Sequence, residues 1–156
     1  MNRYCLVRIF VWFAKGEDRQ AANTLIEQKL AEYYEEIDAC GSDEEKVRKI
    51  HDLMLEKIDS VSGVTIYDVL VKEEAQCEGY VELFQMLATG AGISSFIVTD
   101  YDTYNHAWNM VNLNGSWYIM DVTGDDPVNG DGSLYYTFYM VSAAEYDIDD
   151  YALNLL

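Results

Sequence analysis

The dipeptide Asn114-Gly115 lies between two runs of alternating apolar and polar residues, HAWNMVNL and SWYIMDV. Asn-Gly between such runs is the strongest short-range signal for a β-hairpin with a two-residue turn. A turn of this kind places Trp108 opposite Asp121 and His106 opposite Thr123. The sequence therefore predicts two antiparallel strands with a fixed register.

The same register brings a histidine and a carboxylate together. His106 and Asp121 fall on one face of the hairpin as diagonal neighbours, because side chains alternate between the two faces of a strand. Diagonal neighbours have Cα atoms about 7–8 Å apart, a gap that an imidazole and a carboxylate can bridge. A slip of one residue would put them on opposite faces. Asn109 points to the other face and is a poor partner for His106.

The rest of the chain predicts helices first and strands afterwards. Residues 18–37 have helical periodicity, Ser42 opens the capping-box sequence SDEE, and Cys77 opens the third helix, CEGYVELFQMLATG. From Ser94 onward we expect strands over SSFIVTD, HAWNMVNL, SWYIMDV and SLYYTFYMV. This order predicts an α+β fold, in which the N-terminal helices, including a central helix that bears Cys77, pack on an antiparallel β-sheet.

Apolar stripes on the three helices define the predicted core. The stripes are Ala22, Leu25, Ile26, Tyr33 and Ile37; Val47, Ile50, Met54 and Ile58; and Tyr80, Leu83, Phe84 and Leu87. His51 lies on or beside the second stripe. We interpret it as a packed helix residue rather than a ligand or a base.

Length and charge limit the classes of function. The 156 residues are predicted to form a single domain over residues 1–156. A formal net charge of −18 argues against a nucleic-acid partner, whose phosphates would be repelled. No apolar run is long enough to insert across a membrane. The apolar start YCLVRIFVWFA is interpreted as a buried strand rather than a signal peptide, because Arg8 interrupts it.

The sequence predicts neither a metal site nor another cofactor. His51 and His106 are the two histidines of the chain, and no close Cys/His ligand spacing accompanies them. Three cysteines are an odd number, so they cannot form a complete set of disulfides within the chain. Cys40 is interpreted as a loop or core residue.

Cys77 differs from the other cysteines in its position. A helix start has backbone N–H groups without internal partners and the positive end of the macrodipole, and both favour the reactive thiolate. A histidine oriented by a carboxylate is what a cysteine nucleophile requires. We therefore predict that Cys77, His106 and Asp121 act together.

Other acidic residues compete for these roles. Asp100 and Asp102 before His106, and Asp125 and Asp126 beside Pro127, are interpreted as turn formers, since aspartate readily bonds nearby backbone. A second acidic group, Glu73, Glu74, Glu78 and Glu82, surrounds Cys77 in the sequence. Negative charge close to a thiol raises its pKa. We interpret these side chains as solvated, with a sluggish or cation-preferring enzyme as the alternative.

Three segments, AQCEGY, NHAWNMV and GSWYIMDVTGDDP, together resemble the transglutaminase-like superfamily, whose core is related to papain-like cysteine proteases. The upstream segments SDEEKVRKIHDLMLEKI and IYDVL also resemble bacterial members, so the resemblance covers roughly residues 42–127. It implies a catalytic triad that acts on an amide of a peptide or protein substrate through a thioester. Cys77 would be the nucleophile, His106 the general base and acid, and Asp121 the orienting carboxylate.

The resemblance leaves the acceptor open: water gives proteolysis or deamidation, and an amine gives transamidation. The backbone N–H of Cys77 is one expected oxyanion donor, and neither Tyr67 nor Gln76 can be assigned as the second. The chain departs from the bacterial pattern in VKEEAQ, which lacks a glycine, and at Gly124, where relatives often carry an aromatic residue. Bacterial relatives are often exported, which suggests a secreted or cell-surface protein.

Two alternatives remain at this level. The scaffold could be a catalytically weak or inactive peptide-binding module that uses the region of Trp108 and Tyr118. It could also be a structural domain whose acidic end, AAEYDIDDYALNLL, mediates contacts. The sequence does not indicate an oligomeric state.

Overall fold

The structure, a computed structural model, describes residues 16–61, 65–100, 105–126 and 133–142. The predicted N-terminal strand, Asp102, Pro127 and the acidic C-terminal segment lie outside these residues.

Three long helices come first, as predicted. They are α1 (Gly16–Asp38), α2 (Asp43–Lys57) and α3 (Cys77–Gly90). Between α2 and α3 the chain forms two short parallel strands, β1 (Asp59–Ser60) and β2 (Glu74–Ala75), and a π-helical turn (Asp68–Lys72). Within the described ranges, no helix is both long enough and apolar enough to cross a membrane.

The predicted capping box begins α2. Ser42 Oγ accepts the N–H of Glu45 at 3.2 Å, and Glu45 Oε2 accepts the N–H of Ser42 at 3.2 Å. Two backbone donors that the first turn leaves without helical partners are thereby satisfied. The local sequence therefore fixes where α2 starts.

An antiparallel sheet follows the helices. Its strands, in the spatial order of the sheet, are β3 (Ser95–Asp100), β4 (His106–Leu113), β5 (Ser116–Met120) and β6 (Val141–Ser142). Helices followed by an antiparallel sheet confirm the α+β prediction.

The hairpin between β4 and β5 has the predicted turn and register. Asn114 and Gly115 have φ values of 55° and 84°, the left-handed conformations that a tight hairpin turn requires. Leu113 pairs with Ser116, and the ladder continues in step to the pair of Asn109 and Met120.

The ladder then stops, because the chain turns into the short helix α4 (Val122–Asp125). The predicted pairs of Trp108 with Asp121 and of His106 with Thr123 are therefore not part of the ladder. His106 instead pairs with Asp100 of β3.

The main core lies between the helices and one face of the sheet. All four apolar residues named for α3 are buried there, together with Val111, Leu113 and Met120 of the hairpin. The stripe of α1 is buried except for Leu25, which is 42% exposed, so its assignment to the core was wrong. The opposite face of the sheet carries a smaller cluster of Val98, Met110 and Ile119.

The strand predicted over SLYYTFYMV is largely wrong. Residues 133–140 run irregularly, and pairing with β5 begins only at β6. Tyr136 and Tyr139 both pack against His51 of α2, whereas a strand would place residues three apart on opposite faces. The N–H of Phe138 donates to the Asp125 carboxylate at 2.9 Å instead of to a neighbouring strand.

Candidate active site

Cys77 is the first residue of α3, and its side chain is half-buried. The preceding Gln76 is the exposed N-cap and makes no side-chain capping bond. The thiol of Cys77 donates to Glu78 Oε2 at 3.4 Å. The backbone N–H of Ala107, in β4, acts on the same thiol and lowers its pKa. The nucleophile candidate therefore lies close to the strand that bears His106.

His106 and Asp121 form the predicted pair. His106 Nε2 lies 2.8 Å from Asp121 Oδ2, where β4 begins and β5 has just ended. Asp121 Oδ1 accepts the N–H of Gly124 at 3.0 Å, so Asp121 also caps α4. Because the turn holds one carboxylate oxygen and the imidazole holds the other, the orientation of both side chains is fixed.

The bond between His106 and Asp121 shows which ring nitrogen of His106 is free to accept a proton. A carboxylate only accepts hydrogen bonds, so a neutral His106 donates its Nε2–H to Asp121 and carries its lone pair on Nδ1. This bond to the Asp121 carboxylate raises the pKa of His106 above its ordinary value, burial lowers it, and the charge of Glu78 adds to the rise. The imidazolium form is thus favoured by two carboxylates.

The pKa of the Cys77 thiol is also raised. Burial is the largest cause and the contact with the Glu78 carboxylate is the next, while the N–H groups of Ala107 and Glu78 act in the opposite direction. The N–H of Glu78, in the first turn of α3, lowers the thiol pKa as expected of a helix start, but the pKa is raised overall. Desolvation and one adjacent negative charge outweigh the helix start.

The structure thus joins His106 directly to Asp121. It brings Cys77 near β4, where the N–H of Ala107 acts on the thiol. The hydrogen of the thiol is directed to Glu78. Glu78 is therefore not a merely solvated residue, because it contacts the thiol and also influences His106.

Two of the acids interpreted as turn formers have a different role. Asp125 is 1% exposed and lies 3.1 Å from His51 Nε2 of α2. Asp126 accepts a hydrogen bond from the Tyr80 hydroxyl of α3. Their side chains bond groups that are far away in the sequence, so the interpretation as local turn formers was wrong. His51 itself is fully buried, as expected for a packed helix residue.

Gly124 explains one departure from the bacterial pattern. A Cβ atom at this position would lie 2.8 Å from the ring of Phe138 and 3.0 Å from Asp121 Oδ2. The ring of Phe138 therefore occupies the space into which a side chain at position 124 would extend. A larger residue here would displace either Phe138 or the Asp121 carboxylate.

The aromatic residues named for a binding module do not form one surface. The Trp108 ring stacks against His106, with ring centroids 6.2 Å apart, on the face with the smaller cluster. Tyr118 packs against the main core on the other face of the sheet. Tyr67, one of two residues considered as an oxyanion donor, also packs against the main core.

In the part of the chain that the structure describes, no group of three His, Cys, Asp or Glu side chains is arranged to hold a metal ion. Sequence reasoning missed the bonds from His51 to Asp125 and from Tyr80 to Asp126. The adjacent pair Asp125-Asp126 was the available signal, but nothing local connects it with α2 or α3.

Comparison with known proteins gives a family match. The family model described as the Transglutaminase-like superfamily matches residues 31–122, more than half of the chain. This range includes Cys77, His106 and Asp121. It begins and ends somewhat earlier than the range inferred from the sequence motifs.

Two curated relatives are the kyphoscoliosis peptidases of Mus musculus and Homo sapiens. Each is 29% identical over 102 residues, a match that covers 54% of this chain. The same match covers only 15% of each peptidase.

Solved structures show the same fold at low identity. A transglutaminase structure (TGase) aligns with a TM-score of 0.57 and 17% identity, over 80% of this chain and 36% of its own. A candidate cysteine protease from Cytophaga hutchinsonii aligns with a TM-score of 0.51 and 21% identity, over 70% of this chain and 40% of its own.

Proposed function

This chain belongs to the transglutaminase-like superfamily, and we propose that it is a cysteine peptidase or acyltransferase that acts on amide bonds of peptides or proteins. Cys77 is the nucleophile, His106 the general base and acid, and Asp121 the carboxylate that orients His106. The observation that carries the proposal is the 2.8 Å bond between His106 Nε2 and Asp121 Oδ2. The first strand of the same hairpin also influences the Cys77 thiol, through the N–H of Ala107.

In the first step the thiol proton of Cys77 passes to His106 Nδ1, the nitrogen that Asp121 leaves available. The sulfur then attacks the substrate carbonyl carbon, and the backbone N–H of Cys77 stabilises the charge that develops on the carbonyl oxygen. As the carbon–nitrogen bond breaks, His106 returns its proton to the departing amine and a thioester remains. Water or a second amine then gives its proton to His106 and displaces the sulfur.

The state of Cys77 supports a second candidate, a catalytically weak or inactive peptide-binding module. In this structure the thiol donates to Glu78, and its pKa is raised by burial and by that carboxylate. Both features disfavour the thiolate. A module that only binds peptides would keep the fold and would have no need for a reactive thiol.

Two measurements distinguish these candidates. They compare the wild-type chain with the variants Cys77→Ala and His106→Ala. The first is the rate of iodoacetamide labelling at Cys77 as a function of pH, with the free thiol of Cys40 as an internal reference. The second is hydrolysis of an unfolded protein substrate, together with incorporation of a primary amine into it. If the chain is an enzyme, the rate at which iodoacetamide labels Cys77 depends on His106. Hydrolysis and amine incorporation are then lost in both variants.

A binding module gives the opposite result. Labelling of Cys77 would not respond to His106→Ala, and neither hydrolysis nor amine incorporation would exceed that of Cys77→Ala. That result would contradict the proposed activity.

A further inference from the structure

A second histidine–carboxylate pair connects α2 with α4, the short helix that follows Asp121. His51, in the middle of α2, is 0% exposed, and Asp125, at the end of α4, is 1% exposed. Their side chains meet at 3.1 Å between Nε2 and Oδ2. Burial of two such polar groups is unfavourable unless they are paired, so this contact strongly constrains how α4 packs against α2.

The other ring nitrogen of His51 also faces a carboxylate. Nδ1 lies 3.1 Å from Asp52 Oδ1. Both ring nitrogens of His51 therefore lie within hydrogen-bond distance of a carboxylate oxygen. The rings of Tyr136 and Tyr139 cover the imidazole, with centroids 5.1 and 5.0 Å away. The two carboxylates and the two aromatic rings thus restrict the position of the His51 side chain.

Asp125 connects His51 to Asp121 through hydrogen bonds with Phe138 and with the Asp121 backbone. Its second oxygen, Oδ1, accepts the N–H of Phe138 at 2.9 Å. The carbonyl of Phe138 in turn accepts the N–H of Asp121 at 3.2 Å, and the Asp121 carbonyl accepts the N–H of Asp125 at 3.2 Å. The N–H of Asp121 is therefore bonded to Phe138, which Asp125 binds, and the carbonyl of Asp121 is bonded to Asp125 itself.

Asp126 connects the turn after Asp121 to α3, the helix that begins at Cys77. It accepts the Tyr80 hydroxyl, and Tyr80 lies one turn after Cys77 on α3. The adjacent acids therefore fasten the turn after Asp121 to α2 through His51 and to α3 through Tyr80. The turn that carries Asp121 is thus bonded to two helices.

We propose that His51 and Asp125 are positioning residues that keep the Asp121 carboxylate directed at His106. This inference rests on the proposed function, in which the His106–Asp121 pair activates Cys77. Neither residue touches the reacting atoms. Their effect is transmitted through the Phe138 backbone and the turn of α4.

The test measures the pKa of the His106 imidazole by NMR in His51→Leu and in Asp125→Asn, with folding verified by circular dichroism. His106 is faced by Asp121, by Glu78 from α3 and by Asp100 across β3, and both variants leave these three groups unchanged. With His51 replaced, a single histidine remains in the chain, so its signal needs no further assignment. Asp52→Asn is the matched control, because it removes the other carboxylate beside His51 but no hydrogen bond of the Asp121 turn.

We expect the His106 pKa to shift downward in both variants and to stay unchanged in Asp52→Asn. The two variants separate positioning from charge. Loss of the negative Asp125 would lower the His106 pKa through charge alone, whereas replacement of His51 removes no negative charge. A fall in both variants supports positioning. A fall confined to Asp125→Asn, or no change in either variant, overturns it.

If His51→Leu does not fold, His51→Asn replaces it with the same expected result, because it lacks the imidazole Nε2 that contacts Asp125. The readout is also independent of turnover. An unreactive Cys77 in the wild-type chain would refute the proposed enzyme, and the titration of His106 would still report whether its bond with Asp121 depends on His51.

Discussion

Glu78 sets the electrostatic state of the nucleophile candidate. Its carboxylate lies 3.4 Å from the Cys77 sulfur and, after burial, is the main reason that the thiol pKa is raised. It also contributes to the raised pKa of His106. A single side chain next to the cysteine thus suppresses the thiolate and favours the imidazolium.

Glu78→Gln is expected to lower the pKa of Cys77, because it removes the adjacent negative charge and keeps the size of the side chain. Iodoacetamide labelling of Cys77 near neutral pH should become several-fold faster. Glu82→Gln is the matched control, since it removes the same charge one turn further along α3. Equal labelling rates in Glu78→Gln and the wild-type chain would show that Glu78 does not restrain the thiol.

Asp121→Asn is expected to destabilise the fold more at acidic than at alkaline pH. The bond to Asp121 raises the pKa of His106 in the folded state, so the folded chain binds this proton more tightly than the unfolded chain does. That stabilisation is fully present below the ordinary histidine pKa of about 6.5 and is lost as the pH rises through the raised value.

Urea unfolding of both proteins at about pH 5.5 and about pH 9, on either side of the ordinary histidine value, measures the difference. Asparagine remains a good N-cap for α4, which limits other effects of the change. A loss of stability that is the same at both pH values would show that the pair does not couple protonation to folding.

At the scale of secondary-structure elements, local sequence signals determine where some elements begin and turn, and contacts with other elements determine the conformation elsewhere. α2 starts at a complete capping box, and the β4–β5 hairpin turns at Asn114-Gly115, as the sequence predicted. Residues 133–140 show the limit of such signals. Their apolar and aromatic content favours a strand, but contacts with α2 and the bond from Phe138 to Asp125 hold the backbone in another conformation.

Gly90 at the end of α3 provides a test of helix packing. Alanine in a helix is normally favoured over glycine by about 1 kcal/mol. At Gly90, however, a Cβ atom would overlap the hydroxyl end of Tyr34, which itself donates to the Met86 carbonyl at 3.0 Å. We therefore expect Gly90→Ala to lower the free energy of unfolding by about 1–3 kcal/mol, as overpacking does.

A double-mutant cycle with Tyr34→Ala measures this effect by urea denaturation. In the Tyr34→Ala background the overlap is gone, so Gly90→Ala should be neutral or stabilising. If Gly90→Ala is equally destabilising in both backgrounds, the contact with Tyr34 is not the cause.

At the scale of the whole molecule, charge is the dominant feature. The formal net charge is −18 at pH 7, and its self-repulsion disfavours the compact state. Several lysines offset it locally, as in the contact of Lys29 with Glu73 at 3.3 Å, but such exposed pairs contribute little to stability. The fold is held mainly by the apolar core between the helices and the sheet.

Added salt should therefore stabilise the protein. Raising NaCl from about 0.02 to about 0.5 M shortens the screening length and weakens the repulsion among the carboxylates. The midpoint of urea unfolding should rise across this range at pH 7. A midpoint that falls with salt would contradict the expectation.

The sequence by itself determined the starts of α2 and α3, the β4–β5 turn with its register as far as Asn109 and Met120, and the His106–Asp121 pair. These follow from turn chemistry, capping and the two-residue repeat of a strand. Only the tertiary structure decided that Asp125 and Asp126 fasten the Asp121 turn to two helices, and that residues 133–140 leave the strand conformation. It also decided that the Cys77 thiol has a raised pKa. These outcomes depend on burial and on partners that are distant in the sequence, and local periodicity carries no information about either.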